Sequence, residues 1–222
     1  MRWRWLGAVV VAAEAAFALA AWPHLPERVV VHWSASFQPD GWGSRLGLVG
    51  LPPLIALGLW LLLPLLRRID PRRANYERWE PTFWLLLNVL LLLTAIMDVA
   101  LVGYNLGWPI DMHRVLLATL GLLFVALGNY LPRVRSNWWI GIRTPWTLSS
   151  ERVWRDTHRL GGRTFVAGGL VTLAAALLPV GLAPWVALAG LVVAGFVPVV
   201  YSYVLWRRET GAGDESSPKT LP

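Results

Sequence analysis

Two carboxylates inside apolar stretches are the side chains of this sequence with the clearest potential for chemistry. Glu14 and Asp98 each interrupt a long hydrophobic run, and Asn88 and Thr94 lie in the same run as Asp98. An ionisable group at bilayer depth costs at least a few kcal/mol and is therefore a candidate functional group. Thr94 and Asp98 are four residues apart, so they share a helix face that we expect to point into a bundle. The carboxylates would suit a proton- or cation-coupled transporter, or they would join helices through hydrogen bonds.

Histidine and aspartate side chains form a second group, which could bind a metal. Imidazole and carboxylate are ligands of zinc and other divalent ions, so a metal-dependent membrane enzyme is one hypothesis. No local spacing such as His-Glu-x-x-His ties the residues together, and hydrogen-bonded residues at loop turns are the simpler interpretation. We therefore expect no metal and no cofactor, and we select His32 and Asp40 as binding residues of the outer loop. The full group is His24, His32, Asp40, Asp111 and His113.

The tripeptide Arg143-Thr144-Pro145 offers a third kind of chemistry, the recognition of an anion. Pro145 restricts Thr144 to an extended conformation. The Arg143 guanidinium has the planar fork that binds carboxylate or phosphate through two hydrogen bonds. A lipid phosphate, a carboxylate of the C-terminal span or an acid of a partner would satisfy it, and so would an intramolecular contact that fixes the loop.

Composition places these groups in an integral membrane protein. Of 222 residues, 56% are hydrophobic and 15% are charged, whereas soluble domains carry about 25% charged residues. Cysteine is absent, which excludes a disulfide-stapled module and a cysteine-ligated zinc site. Apolar stretches between the charges predict an all-α polytopic protein with six transmembrane helices. The predicted spans are 5–22, 46–66, 82–106, 115–131, 164–182 and 184–206.

The distribution of basic residues predicts the orientation of these spans. Seventeen of the 20 Arg and Lys residues fall in the N-terminus, the 67–81 and 132–163 loops and the tail, and three fall in the alternate loops. By the positive-inside rule, both termini are cytoplasmic. The net charge of +7 is then a topology signal, and direct nucleic-acid binding is not expected. A cleaved signal peptide is the alternative for the first span, but Glu14 and Trp22 argue against cleavage.

The loop 23–45 between the first two spans predicts a small extracellular cap. Val29 to Trp33 is a β-branched run suited to a strand, and Pro39-Asp40-Gly41 has the residue types of a turn. The cap could therefore be a β-hairpin. With this loop, the chain divides into a two-helix unit at 1–66, a third span with its Arg-rich loop at 67–111, a region of spans four to six at 112–208, and a disordered tail at 209–222.

The cytoplasmic segment 128–163 predicts an amphipathic helix. Ser149 is a suitable N-cap, and Gly161-Gly162 is a suitable stop. On a helical wheel Arg152, Arg155, Arg159 and Arg163 form one face, opposite Val153, Trp154, Thr157 and Leu160. Such a helix would lie in the lipid headgroup layer with Trp154 at the interface and His158 at its edge.

The same segment carries a specific resemblance. Gly128-Asn129-Tyr130, Asn137, the block from Gly141 to Leu148, Val153-Trp154, Thr157-His158-Arg159 and Gly161-Gly162 resemble the signature of the SdpI family. In the outer loop Leu25-Pro26, Val31-His32-Trp33 and Pro39-Asp40-Gly41 resemble the N-terminal domain that commonly precedes this signature. The motif residues that we select are Asn129, Tyr130, Asn137, Gly141, Arg143, Thr144, Pro145, Trp146, Thr147, Trp154, His158 and Arg159.

The resemblance implies a function that residue chemistry alone does not. Members of this family are membrane proteins named for immunity to a sporulation-delay peptide toxin. The expected partners are membrane lipids, a secreted toxic peptide and a cytoplasmic transcriptional repressor that the toxin-bound protein would hold at the membrane. The implied location is the plasma membrane, and the family suggests no catalytic activity. A transporter that uses Glu14 and Asp98 is the alternative.

Overall fold

The computed structural model describes residues 2–215, most of which lie in long helices joined by short connections. Helix α3 packs against α1, α2 and α4, and α6 packs against α4 and α7. The bundle therefore has two three-helix halves that meet where α3 contacts α4. The elements are α1 (Arg2–Ala21), β1 (Arg28–Trp33), β2 (Pro39–Ser44), α2 (Arg45–Ile69), α3 (Glu80–Asn105), α4 (Met112–Tyr130), α5 (Pro145–Ser149), α6 (Glu151–Ala175) and α7 (Ala183–Glu215).

Five helices of the described chain are long and apolar enough to cross a membrane. They cover Trp5–His24, Arg45–Ile69, Glu80–Asn105, Met112–Arg133 and Ala183–Gly211. The predicted all-α membrane architecture is confirmed to this extent. The predicted fifth span at 164–182 is not a separate helix. It is the second half of α6, a single helix of 25 residues that also contains the predicted amphipathic helix.

The prediction that Gly161-Gly162 ends a helix is wrong, because these glycines allow close packing instead. A Cβ at Gly161 would lie 2.4 Å from Ile142, and one at Gly162 would lie 2.8 Å from the carbonyl oxygen of Gly128.

Helix α6 begins one residue later than predicted. Its N-cap is Ser150, whose hydroxyl accepts from the Val153 N–H at 3.2 Å.

The outer loop forms the predicted β-hairpin, but its turn lies elsewhere. Strands β1 and β2 pair antiparallel, and residues 34–38 make the turn, with the Phe37 N–H donating to the Ser34 carbonyl at 2.8 Å. Phe37 has a φ of 56°. The prediction of a turn at Pro39-Asp40-Gly41 is wrong because these residues begin β2. Proline is tolerated at a strand start, and Gly41 lets the backbone approach His32, whose Cβ lies 2.7 Å from the position of an added Cβ.

The hairpin is fixed to the adjacent end of the bundle. The Asn105 side chain accepts from the Val30 N–H at 2.7 Å and donates to the Val30 carbonyl at 3.0 Å. The Trp33 and Tyr104 rings pack edge to face, with 5.1 Å between their centroids. We call this end, with residues 22–44, 106–111 and 176–182, the hairpin end. The opposite end, with residues 70–79 and 131–150, is the motif end.

The prediction of a disordered tail from residue 209 is wrong for its first part. Helix α7 continues to Glu215, because the sequence from Tyr201 to that residue contains no proline to stop a helix that has already formed. The rest of the predicted tail, 216–222, lies outside the described residues.

Candidate functional site

The centre of the motif end is a buried hydrogen-bond network around Asp70 and Asn137, which we call the motif lock. One Asp70 oxygen accepts from the Arg72 N–H at 2.7 Å, and the other accepts from the Trp138 N–H at 2.9 Å. The Tyr76 hydroxyl lies 3.0 Å from this second oxygen and 3.1 Å from Oδ1 of Asn137. Burial, reinforced by the Asp70 carboxylate, raises the pKa of Tyr76 above its usual value, so its hydroxyl stays a donor.

Asn137 organises residues 131–150, which we call the motif segment. Its Oδ1 accepts from the N–H groups of Trp139 at 2.9 Å and Ile140 at 2.7 Å. Its Nδ2 donates to the carbonyls of Arg135 and Ile140, each at 2.8 Å. A fully buried amide whose hydrogen-bonding groups are satisfied in this way fixes the backbone around it. Asn137 is therefore a structural residue of the motif.

The loop between α2 and α3 supplies further contacts to the motif. One terminal nitrogen of Arg72 donates to the Leu148 carbonyl at 2.7 Å, and the other donates to the Ser136 hydroxyl. Asn75 donates to the Ser136 carbonyl at 2.7 Å. Sequence reasoning missed this group, which consists of Asp70, Arg72, Asn75 and Tyr76. The dipeptide Asp70-Pro71 has turn chemistry, but nothing in the sequence pairs it with a segment more than sixty residues away.

Thr144, Pro145 and Thr147 form the start of the short helix α5. The Thr144 hydroxyl accepts from the Thr147 N–H at 3.1 Å, and the Thr147 hydroxyl accepts from the Thr144 N–H at 2.9 Å. This reciprocal pair is a capping box, and Pro145 occupies the first helical position. The Thr144 hydroxyl also lies 3.0 Å from that of Ser202 in α7. The three residues therefore fix α5 and join it to α7.

Trp154 and His158 lie in the protein core and not at the lipid interface. The Trp154 indole N–H donates to the Val134 carbonyl at 2.9 Å, and its ring stacks on His158 at 4.1 Å between centroids. His158 accepts from the Ile142 N–H at 3.0 Å through Nε2, and Nδ1 lies 2.8 Å from the Trp154 carbonyl. The predicted interfacial anchor and the predicted edge position are therefore both wrong. The motif segment covers the nonpolar face of α6 at Trp154 and His158.

Gly141 is required by this packing. Its φ is +120°, a conformation that favours glycine. A Cβ at this position would lie 2.5 Å from Nε2 of His158. The glycine therefore lets the motif backbone lie directly against the imidazole. Burial lowers the pKa of His158 to about 4, although its contact with the Trp154 carbonyl acts in the opposite direction.

Acid is expected to destabilise the motif end through His158. Between its ordinary pKa of 6.5 and about 4, the unfolded chain binds a proton that the folded chain does not, so stability falls as pH falls through this window. From pH 7 to pH 5 we expect a loss of about 2 kcal/mol. Unfolding of the purified protein in detergent at both pH values measures it. His158→Gln should remove this component, whereas His24→Gln, at an exposed position, should retain it.

Arg143 makes an intramolecular contact while remaining exposed. One terminal nitrogen donates to the Trp138 carbonyl at 2.7 Å. The sequence left open whether this guanidinium binds a phosphate, a carboxylate or a group within its own loop. The structure contains the contact within the loop. Asn129 and Arg159 are also exposed. Tyr130 lies under the Arg133 guanidinium at 4.9 Å, and Trp146 packs on Tyr203 at 5.0 Å.

The predicted basic face of α6 is exposed as expected. Arg152, Arg155, Arg159 and Arg163 all face away from the protein, while Val153, Trp154 and Thr157 are buried. With Arg143, these side chains make the motif end a basic surface. Guanidinium groups are side chains that can bind phosphates or carboxylates.

The candidate metal ligands near the hairpin end do not converge. Nδ1 of His32 lies 2.6 Å from an oxygen of Asp40, and both side chains are exposed. Asp111 instead caps α4, and His113 is buried against Phe37. Within residues 2–215, no group of three or more histidine, cysteine or acidic side chains is placed to hold a metal ion.

The two carboxylates predicted to lie within the membrane come together inside the bundle. Glu14 is 3% exposed and Asp98 is 1% exposed, and they are close enough to interact electrostatically. None of their four carboxylate oxygens has a hydrogen-bond partner among the described residues. Asn88 is buried farther along α3, and the Thr94 hydroxyl donates to the Leu91 carbonyl at 2.8 Å.

Comparisons with known proteins match both halves of the chain. Residues 9–57 match a domain of unknown function (DUF1648), and residues 133–202 match the SdpI/YfhL protein family. The "Immunity protein SdpI" of Bacillus subtilis (strain 168) is 24% identical over 163 residues, which are 73% of this chain and 76% of that protein. No solved structure matches significantly. The resemblance predicted from the motif is thereby confirmed, since residues 133–202 of the chain match the SdpI/YfhL protein family.

Proposed function

We propose that this protein resides in the plasma membrane and protects the cell from a secreted toxic peptide by binding it, without catalysis. The proposal is carried by the similarity to an immunity protein, which extends over 73% of this chain. Five helices able to cross a membrane support the location. The motif residues act mainly through intramolecular hydrogen bonds, an arrangement that suits a binding protein with a rigid base.

A receptor function is the finer part of this proposal. In it, the basic surface of the motif end would hold a cytoplasmic repressor when the peptide is bound. Support comes from the exposed arginines of α6 and from Arg143, since arginine forks bind carboxylates with defined geometry. Anionic lipid headgroups would occupy the same surface when no protein partner is present.

Transport coupled to protons or cations is the second candidate function. It is favoured by one observation, the burial of Glu14 and Asp98 together without hydrogen-bond partners among the described residues. Ion flux through proteoliposomes containing the purified protein would test it. Flux that is unchanged in Asp98→Asn would contradict a carboxylate mechanism.

Expression in a peptide-sensitive bacterium tests the immunity proposal. Peptides encoded near the gene are added to cells that carry the full chain or an empty vector, and survival is counted. We expect the chain to raise survival against at least one of these peptides. An absence of protection, in cells whose membranes contain the protein, would reject the function.

We further propose that α6 also crosses the membrane, which brings the number of crossings to six, and that both termini and the motif end are cytoplasmic. The charge asymmetry of the loops supports this orientation. Because the chain has no cysteine, single cysteines can report it. We expect Glu27→Cys, at an exposed position of the hairpin end, to react with a membrane-impermeant maleimide on intact cells.

Ala74→Cys, at an exposed position of the motif end, provides the matched control for orientation. It should react only after the membrane is permeabilised. The reverse pattern of labelling would invert the orientation, and labelling of both positions from outside would disprove the proposed number of crossings.

A further inference from the structure

One exposed face of α6 changes from basic to apolar along its length. Arg159 and Arg163 lie one helical turn apart, and both are exposed. Toward the hairpin end, Ala167, Leu170 and Ala174 continue the same face at helical spacing, and all three are exposed. In a helix that crosses the membrane, as proposed above for α6, this face touches lipid. We call these five residues the α6 lipid face.

Arg163 begins at a depth where its neighbour α7 is apolar. The hydroxyl of Thr164, the next residue, donates to the Ala194 carbonyl at 2.9 Å. Ala194 precedes Trp206, the last residue of the uncharged stretch of α7, by twelve residues, which correspond to about 18 Å along a helix. The backbone of Arg163 therefore lies far inside the part of α7 that carries no charge.

Helix α4 gives a smaller depth in the same direction. A Cβ at Gly162 would lie 2.8 Å from the Gly128 carbonyl oxygen. Gly128 precedes Arg133, the next charged residue of the chain, by five residues, or about 8 Å along a helix. By either neighbour, the backbone of Arg163 lies deeper than the first charge of the adjacent helix. Its guanidinium must therefore extend toward the lipid headgroups.

The two arginines of the α6 lipid face have no partner within the described part of the chain. Neither forms a hydrogen bond or an ion pair there, and the adjacent acid Asp156 lies 4.0 Å from Arg155 instead. A guanidinium at bilayer depth is costly unless it is paired. Because both side chains point outward, the anion within their reach belongs to a lipid.

We propose that Arg159 and Arg163 bind the phosphate of an anionic phospholipid of the cytoplasmic leaflet, whose acyl chains lie along Ala167, Leu170 and Ala174. Residues four apart on a helix have Cβ atoms about 6 Å from each other, so both guanidinium groups can reach one phosphate. Arginine binds phosphate through two parallel hydrogen bonds. A zwitterionic lipid would add an ammonium group beside the two arginines, which favours phosphatidylglycerol over phosphatidylcholine.

This lipid site divides the basic surface of the motif end. Arg159 and Arg163 take a lipid, and Arg143, Arg152 and Arg155 remain for a cytoplasmic protein. The site rests on the proposed crossing of α6 and is independent of the immunity function.

Fluorescence quenching in vesicles tests the lipid site. Leu170→Cys, in a chain without other cysteines, carries a maleimide fluorophore on the α6 lipid face. The vesicles contain phosphatidylcholine with a minor fraction of phosphatidylglycerol, and bromine is placed on the acyl chains of the phosphatidylglycerol or of an equal amount of phosphatidylcholine. We expect brominated phosphatidylglycerol to quench at least about threefold more, since each arginine near the headgroups contributes about a fivefold preference for an anionic lipid.

Charge variants and a second reporter make this test specific. In the double variant Arg159→Gln/Arg163→Gln the two brominated lipids should quench equally, whereas Arg73→Gln, at another exposed position of the motif end, should keep the preference. A fluorophore at Leu188→Cys, exposed on α7, should be quenched equally by both lipids and shows that each variant is inserted. Equal quenching at Leu170→Cys with both arginines present, a preference retained in the double variant, or the same preference at Leu188→Cys would each overturn the lipid site.

Gly181→Cys separates failure of the lipid site from failure of the crossing. Gly181 is exposed in the turn that follows α6, so a crossing α6 makes the cysteine react with a membrane-impermeant maleimide on intact cells. Reaction from outside combined with equal quenching would keep the crossing and reject the lipid site. Reaction only after the membrane is permeabilised would reject the crossing, and the lipid site with it.

Discussion

Replacing Asp70 with alanine is expected to lower the free energy of unfolding by about 2–4 kcal/mol. The carboxylate accepts hydrogen bonds from two backbone N–H groups and lies 3.0 Å from the Tyr76 hydroxyl. Alanine would leave the Trp138 N–H without its acceptor, while Tyr76 would retain only its contact with Asn137 at 3.1 Å. Detergent-solubilised protein, titrated with sodium dodecyl sulfate and followed by circular dichroism, gives the free energy.

Glu77→Ala is the matched control for Asp70→Ala. Glu77 belongs to the same loop but is exposed, so its removal should change stability by no more than about 0.5 kcal/mol. Asp70→Asn should give an intermediate loss, because the amide keeps one acceptor oxygen. If Asp70→Ala is as stable as Glu77→Ala, the motif lock does not hold the motif end together.

The stability of Asp70→Ala also bears on two roles of the motif, folding of the motif end and recognition of a partner. Asn137, Thr144, Thr147 and His158 are buried and hydrogen-bonded within the chain, so their substitution should impair folding before it impairs recognition. Arg143 and the basic face of α6 are exposed, so they are the part of the motif available to lipids or a repressor.

The local elements could be predicted from sequence because their signals are local. Apolar runs, the β-branched segment that became β1 and the charge asymmetry of α6 each depend on a few neighbouring residues. Burial of Glu14 and Asp98 could be predicted as well, since a carboxylate at bilayer depth must face protein. Their pairing across α1 and α3 could not, because no spacing links two helices that are distant in sequence.

Errors arose where tertiary contacts override local chemistry. Gly161-Gly162 has the composition of a helix stop, yet the helix continues because neighbouring backbones need the space. Trp154 has the position of an interfacial anchor, yet the motif segment covers it and accepts its N–H. The motif lock was missed for the same reason, since Asp70 has its decisive partner at Trp138.

Replacing Gly128 with leucine is expected to cost about 3 kcal/mol or more of stability. A Cβ at Gly128 would lie 2.6 Å from the Gly162 carbonyl oxygen, and one at Gly121 would lie 2.8 Å from that of Gly169. The glycines on each helix are seven residues apart, so α4 and α6 touch through their backbones at two levels about 10 Å apart. Small residues permit such contact between membrane helices. The same detergent titration measures the loss.

Gly58→Leu is the control that separates the effect of crowding from the general effect of replacing a glycine inside a helix. Gly58 lies inside α2, and apart from its chain neighbours and the backbone of its own helix no atom of the described residues lies within 4 Å of the position of its Cβ. Leucine there should be neutral or should stabilise the helix by up to about 1 kcal/mol. Because the Gly128 contact is with backbone, no side-chain rearrangement can relieve it, and Gly128→Ala should already destabilise the protein. A Gly128→Leu protein as stable as Gly58→Leu would mean that α4 and α6 do not touch at this level, so the contact between Gly128 and the Gly162 carbonyl would not stabilise the end of the bundle next to the motif end.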